Sequence, residues 1–186
     1  MNIKKIKDAF HDLEGEHIYL FIVNAKEYLN TNIAILKEVV KRDDAAGIYV
    51  TLNRPYASLT KILQRNDVNT DRIFFIDGTT KIIGETKKAE NVFYVESPQN
   101  LTALSVTITE AVEALPSKNK FLILDALTTL TIYNSTTTVS RFLHFLTNRM
   151  RILKLDGILL SIEKELNPVI AEQLEQFIDK VIDLSE

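Results

Sequence analysis

His17–Val23 reads HIYLFIV, and Asn24–Thr31 (NAKEYLNT) follows it directly. The first stretch is apolar at successive positions rather than at alternate ones. A strand written this way has both faces buried, the condition of a strand in a parallel sheet covered by helices on either side. Six further runs repeat the pattern: Gly47–Leu52 (GIYVTL), Arg72–Ile76 (RIFFI), Asn91–Val95 (NVFYV), Lys120–Leu124 (KFLIL), Gly157–Ile162 (GILLSI) and Lys180–Leu184 (KVIDL). Each is of strand length and rich in β-branched and aromatic residues.

Segments of helical period lie between the runs. Thr31–Lys41 puts Ile35, Leu36, Val39 and Val40 on one face, and Pro55–Gln64 opens on a proline, which suits a first helical turn. Gln99–Leu115 carries Leu101, Leu104, Ile108, Val112 and Leu115 at spacings of three and four, and Pro116 ends it. Thr138–Lys154 repeats Val139, Phe142, Leu143, Leu146, Met150 and Leu153, and Pro168–Asp179 carries Ile170, Leu174 and Phe177. Strand and helix in alternation predict right-handed crossovers and an α/β fold: a doubly wound, mostly parallel sheet with helices on both faces. Asp77–Lys88 (DGTTKIIGETKK) is the most polar insert and reads as a surface loop or hairpin. No stretch reads as a linker, so 1–186 is expected to form one domain, with 1–15 as an N-terminal helical extension.

The composition excludes several function classes. With 46% hydrophobic and 25% charged residues the chain is too apolar for disorder. The net charge of -3 draws it toward neither nucleic acid nor an anionic membrane. Zero cysteines exclude disulfides, thiolate metal sites and a cysteine nucleophile. No continuous apolar stretch has the length of a signal h-region or a membrane span, so the expectation is a cytoplasmic protein. Arg141, Arg149, Arg151 and Lys154 share a predicted helix with His144; this reads as a solvated face rather than a nucleic-acid stripe. The histidines, His11, His17 and His144, have no metal-ligand spacing.

The order of these elements, and three phrases within them, resemble the RecA superfamily, in particular the single-domain KaiC-like proteins of archaea. The phrases are GIYVTLNRP (Gly47–Pro55), FLILDALTTL (Phe121–Leu130), which is similar to a Walker B strand and its exit, and GILLSIEKE (Gly157–Glu165). The resemblance implies a RecA-like P-loop fold over roughly Glu16 to Leu184, and assembly side by side with copies of itself.

In that family the first strand runs into a phosphate loop, whose glycines let backbone amides wrap the phosphates. A lysine there meets the β- and γ-phosphates, and a Ser/Thr hydroxyl meets Mg²⁺. Laid on this template, Asn24 and Leu29 stand where the two glycines belong, Asn30 replaces the lysine, and only Thr31 fits. Lys26 lies within the loop at the wrong spacing. Asn53 and Arg54 occupy the region of the catalytic glutamate, and neither is a general base at neutral pH. Asp125 stands where the Walker B aspartate belongs, as a relic metal ligand or as a cap on the next turn.

The cofactor-site residues implied by the resemblance are therefore Thr31, Asp125 and Lys26, as a vestigial ATP/Mg²⁺ site; no working cofactor, metal site or catalytic residue is expected. Leu29 or Tyr28 filling the turn would favour a scaffold, and an open cationic concavity a sensor. The expected function is a non-catalytic domain, an inactive ATPase homologue, acting through a protein partner or self-association in signalling or regulation. The alternative is a nucleotide- or small-ligand-binding sensor without hydrolysis. A third reading, an ATPase with Lys26 as clamp and Glu163 as base, needs unconventional residues for both jobs. The hydroxyl-rich run Thr128, Thr129, Thr131 and Ser135–Thr138 reads as turn and N-cap chemistry.

Overall fold

Each apolar run becomes a strand because its alternate side chains find a separate core on each side of the sheet. The computed structural model describes residues 3–11, 16–84, 86 and 89–185. The strands are β1 (Ile18–Val23), β2 (Ala45–Thr51), β3 (Ile73–Asp77), β4 (Val92–Tyr94), β5 (Asn119–Asp125), β6 (Leu155–Ile162) and β7 (Lys180–Leu184). They form one sheet in the order β4-β3-β2-β5-β6-β1-β7, with every pairing parallel. In β1, Ile18 and Leu20 enter one core, while Tyr19, Phe21 and Val23 enter the other.

The helices are α1 (Ile3–His11), α2 (Tyr28–Val40), α3 (Tyr56–Arg65), α4 (Thr80–Ile83), α5 (Leu101–Ala114), α6 (Leu127–Tyr133), α7 (Thr136–Ile152) and α8 (Pro168–Leu174), with a 3₁₀ turn at Glu163–Glu165. Apolar residues of α5 to α8 pack on one face of the sheet and those of α1 to α3 on the other. The expected N-terminal extension contributes Ile6 and Ala9 to the second core, packed near α2 and β7, and so belongs to the body of the fold. None of the described helices is long and apolar enough to cross a membrane.

Capping chemistry sets several boundaries. Ser135 accepts from the Thr138 amide at 3.2 Å, so α7 starts at Thr136, two residues before the expected start at Thr138. Asn100 caps α5 through the Ala103 amide at 2.9 Å, and Asn167 caps α8 through Val169 at 3.0 Å, with Pro168 in the first turn. The helix expected over Pro168–Asp179 stops at Leu174. Asp179 is needed elsewhere: its carboxylate accepts from the Ile18 amide at 2.8 Å and from Arg151 at 3.0 Å.

Two expectations about polar stretches are corrected. Thr128, Thr129 and Thr131 lie inside α6 rather than in a turn, because Leu127 and Leu130 anchor that segment in the core. Asp77 opens no surface loop: it ends β3 fully buried, and a short helix, α4, follows. Residues 85, 87 and 88 of that insert lie outside the described residues.

Candidate functional site

The C-terminal edge of the sheet, where ligands of doubly wound folds sit, carries three adjacent strand ends. Thr51 of β2 pairs in register with Asp77 of β3 on one side and Asp125 of β5 on the other. Both aspartates are buried.

Asp77 is saturated by local donors. Its carboxylate accepts from the amides of Tyr56 (2.7 Å), Thr79 (2.7 Å) and Thr80 (2.9 Å), and from the Thr80 hydroxyl (2.5 Å). It therefore ties the start of α3 to the start of α4, a capping role.

Asp125 is held by long-range partners. Its Oδ1 accepts from the Tyr28 hydroxyl, and its Oδ2 from the Tyr49 hydroxyl at 2.5 Å. The Tyr49 oxygen in turn accepts from Asn32 Nδ2 at 2.6 Å. Tyr28 and Asn32 are four residues apart on α2, hence on one face of the helix. That face leans over the ends of β2 and β5. The Asp125 backbone is held as well, since Leu52 N donates to its carbonyl at 2.6 Å.

Burial pushes the Asp125 carboxyl above the usual carboxylate range, against the opposing pull of hydrogen bonds from Tyr28, Tyr49 and Asn32 and of the Arg54 charge. Burial, and then the Asp125 charge, push the phenols of Tyr28 and Tyr49 well above theirs. Both hydroxyls thus stay protonated and remain donors to the carboxylate throughout the physiological range.

The preceding turn is short. β1 ends at Val23 and α2 starts at Tyr28. The Lys26 amide donates to Asn24 Oδ1 at 3.0 Å and the Glu27 amide to Asn24 O at 3.1 Å, so both amides are engaged within the turn. Lys26 is exposed. Thr31 lies inside α2, buried, with its Oγ1 lacking any hydrogen-bond partner and so unconnected to Asp125. Leu29 packs against the core beneath α2; Tyr28 is the residue that reaches the strand end. Asn53 accepts from the Thr129 hydroxyl, and Arg54 folds back onto Thr51, whose hydroxyl donates to its carbonyl at 2.6 Å. Glu163 and Glu165 are exposed, and the Glu165 charge adds to the upward push on Tyr28.

Of the three residues singled out in the sequence, then, only Asp125 sits in a hydrogen-bonded cluster. Asn32 and Tyr49 were not anticipated. One signal was present: Tyr49 is a phenol in the middle of an otherwise aliphatic buried strand, and a buried phenol needs a polar partner. The expected basic face on α7 is partly neutralised, with Arg149 on Glu113 at 2.9 Å and Arg151 on Asp179 at 3.0 Å. Among the described residues no group of three or more His, Cys, Asp or Glu side chains is placed to hold a metal ion.

Residues 35–184 match the model of a family of unknown function, DUF7504. The chain belongs to that family. No curated protein matches the sequence. Solved structures resemble this DUF7504 domain over nearly its whole length at low identity. One is an uncharacterized protein from Pyrococcus horikoshii in complex with an unknown peptide (TM-score 0.75, 13% identity, 98% of this chain and 82% of that one). A second is a KaiC-like protein from the same archaeon (TM-score 0.66, 16% identity, 93% and 74%). A third is the flagellar accessory protein FlaH from Methanocaldococcus jannaschii (TM-score 0.64, 11% identity, 97% and 74%). The DUF7504 domain thus has the RecA-like fold of KaiC-like proteins, as the resemblance of its sequence implied.

Proposed function

We propose that this DUF7504 domain is a non-catalytic member of the KaiC-like fold that works by binding protein. The observation carrying this reading is the placement of two phenol hydroxyls on Asp125, one on each carboxylate oxygen. A magnesium ion demands near-ideal octahedral oxygen geometry, with room for several waters. At Asp125 that space is met by a tyrosine from α2 and a tyrosine from β2.

Other features point the same way. The turn after β1 has no glycine, two of its amides are bonded to Asn24, and the lysine position holds uncharged Asn30. A triphosphate would find neither an amide cradle nor an ammonium group there. The fold neighbour crystallised with an unknown peptide makes a peptide or protein partner the natural ligand class. Roles in signalling or regulation, and assembly with copies of itself, belong to this proposal.

A second reading, a nucleotide or small-ligand sensor without hydrolysis, rests on one observation. The buried Thr31 hydroxyl at the base of α2 has no partner. A thermal-shift series with ATP, ADP, GTP and cyclic dinucleotides, each with Mg²⁺, separates the two. A ligand at a hundred times its Kd stabilises by about 2.7 kcal/mol, which for a domain of this size raises Tm by about 5–11 °C. The binding-protein reading expects no shift with any of them. A shift of that size with ATP, abolished by Asp125→Ala, would sink it.

A further inference from the structure

A groove of about 440 Å³ runs between α7 and α8, a volume within the range of ligand sites. From α7 it is lined by Ser140, Arg141 and His144, with Ser140 and His144 one helical turn apart on the same face. Gln173 lines it from α8, and Gln176 from just beyond that helix. The His144 ring packs on Phe177, with ring centroids 4.6 Å apart, and closes one end. Beneath the groove Leu143, Ile170 and Leu174 seal the two helices together and leave no room for a water molecule.

The polar side chains of this groove are unpaired. Arg149 and Arg151, farther along α7, each hold a carboxylate, whereas Arg141 has none among the described residues. The amides of Gln173 and Gln176 and the ring nitrogens of His144 likewise make no hydrogen bond among the described residues. The Ser140 hydroxyl is buried and also lacks a partner. No aspartate or glutamate among the described residues lines the groove; Glu172 and Glu175 are exposed beside it. The chain as a whole carries a net charge of -3, so this acid-free groove around a free guanidinium is a local exception. A planar, permanently charged fork of donors matches a carboxylate.

We infer that the groove between α7 and α8 binds an extended, acidic peptide segment of a partner protein. Arg141 meets a carboxylate side chain of that segment. A glutamine amide offers one acceptor and two donors, so Gln173 and Gln176 suit the C=O and N–H groups of its backbone. Val169, 53% exposed at the rim, and half-buried Phe177 give apolar contact beside them. Between Thr136 and His144, both of which line the groove, α7 advances about 12 Å. That is the span of about four residues of an extended chain. A small organic anion would engage Arg141 and leave the two amides unmatched. The inference rests on the reading of this domain as a protein binder and names the chemistry of the partner and the surface that receives it.

Fluorescence anisotropy with a rhodamine-labelled hexaglutamate peptide and the full chain tests this, with the fold of each variant checked by circular dichroism. Wild type is expected to bind hexaglutamate with a Kd below about 1 mM, and hexaglutamine or hexalysine about tenfold more weakly or worse. Arg141→Glu should weaken hexaglutamate about tenfold or more, and Gln173→Ala/Gln176→Ala about threefold or more. Arg149→Glu makes the same change of net charge outside the groove and should leave the affinity within about twofold of wild type. Absence of hexaglutamate binding up to about 1 mM overturns the inference. So does an equal loss in Arg141→Glu and Arg149→Glu, which would mark unspecific charge attraction. Displacement by succinate as effective as by unlabelled hexaglutamate would assign the groove to small anions and overturn the peptide class. The nucleotide series reads out separately. A thermal shift with ATP that Asp125→Ala abolishes would remove the non-catalytic reading and leave the peptide titration standing, and a chain with neither an ATP shift nor hexaglutamate binding would do the reverse.

Discussion

Replacing Tyr49 by Phe deletes one oxygen atom and leaves the ring in place. Tyr49 is wholly buried, donates to Asp125 Oδ2 at 2.5 Å and accepts from Asn32 Nδ2 at 2.6 Å. The loss of the donor removes a hydrogen bond to a carboxylate, about 1.5–3 kcal/mol, and the loss of the acceptor removes a neutral one, about 0.5–1.5 kcal/mol. The ring keeps its shape, so no cavity term adds to this. The total, about 2–4 kcal/mol, should appear in urea unfolding as a midpoint lowered by about 1–2 M at unchanged slope, taking a slope near 2 kcal/mol/M. Tyr28→Phe makes the control. It removes one hydrogen bond to the same carboxylate and no acceptor, so the cost should be about 1.5–3 kcal/mol, below that of Tyr49→Phe by the Asn32 hydrogen bond. A cycle pairing Tyr49→Phe with Asp125→Asn should show coupling of about 1 kcal/mol or more. If Tyr49→Phe costs under about 0.5 kcal/mol, or less than Tyr28→Phe, the buried cluster is not holding the strand ends as argued.

The remaining expectations concern pH and packing. The Asp125 carboxyl is raised by burial in the folded state, so the stability it contributes is fully present below the ordinary aspartate pKa and is lost as pH rises through the raised value; urea unfolding of Asp125→Asn across this window should therefore decline less with rising pH than wild type, and parallel profiles would count against the assignment. Asp179 runs the other way. Although burial raises it, Arg151 and the Ile18 amide hold it low, so acid unfolding of Arg151→Ala should begin at higher pH than that of wild type. Gly47 and Gly157 should respond unequally to Ala. A methyl at Gly47 would come within 2.3 Å of the Phe121 ring in the sheet core and should cost about 1–3 kcal/mol, whereas at Gly157 the obstacle is the Met150 sulfur, which can swing aside, and thermal melts should show the smaller loss there.

The sequence by itself determined the architecture. Seven runs apolar at consecutive positions can be buried on both faces only inside a parallel sheet, and the helical segments between them left α/β crossovers as the arrangement. It also showed a turn, 24–31, that contains no glycine. Partnership was not legible there. Periodicity reports that a side chain is buried and is silent about which distant one it meets. Only the crossover of α2 and the pairing of β2 with β5 brought Tyr28 and Tyr49, 97 and 76 positions from Asp125, onto its two oxygens. The hydroxyls after Asp125 became a helix for the same reason, since Leu127 and Leu130 had a core to enter that local turn propensity does not register. The charges of α7 likewise divided into the paired Arg149 and Arg151 and the open Arg141 according to which helix or strand end the fold had set beside each.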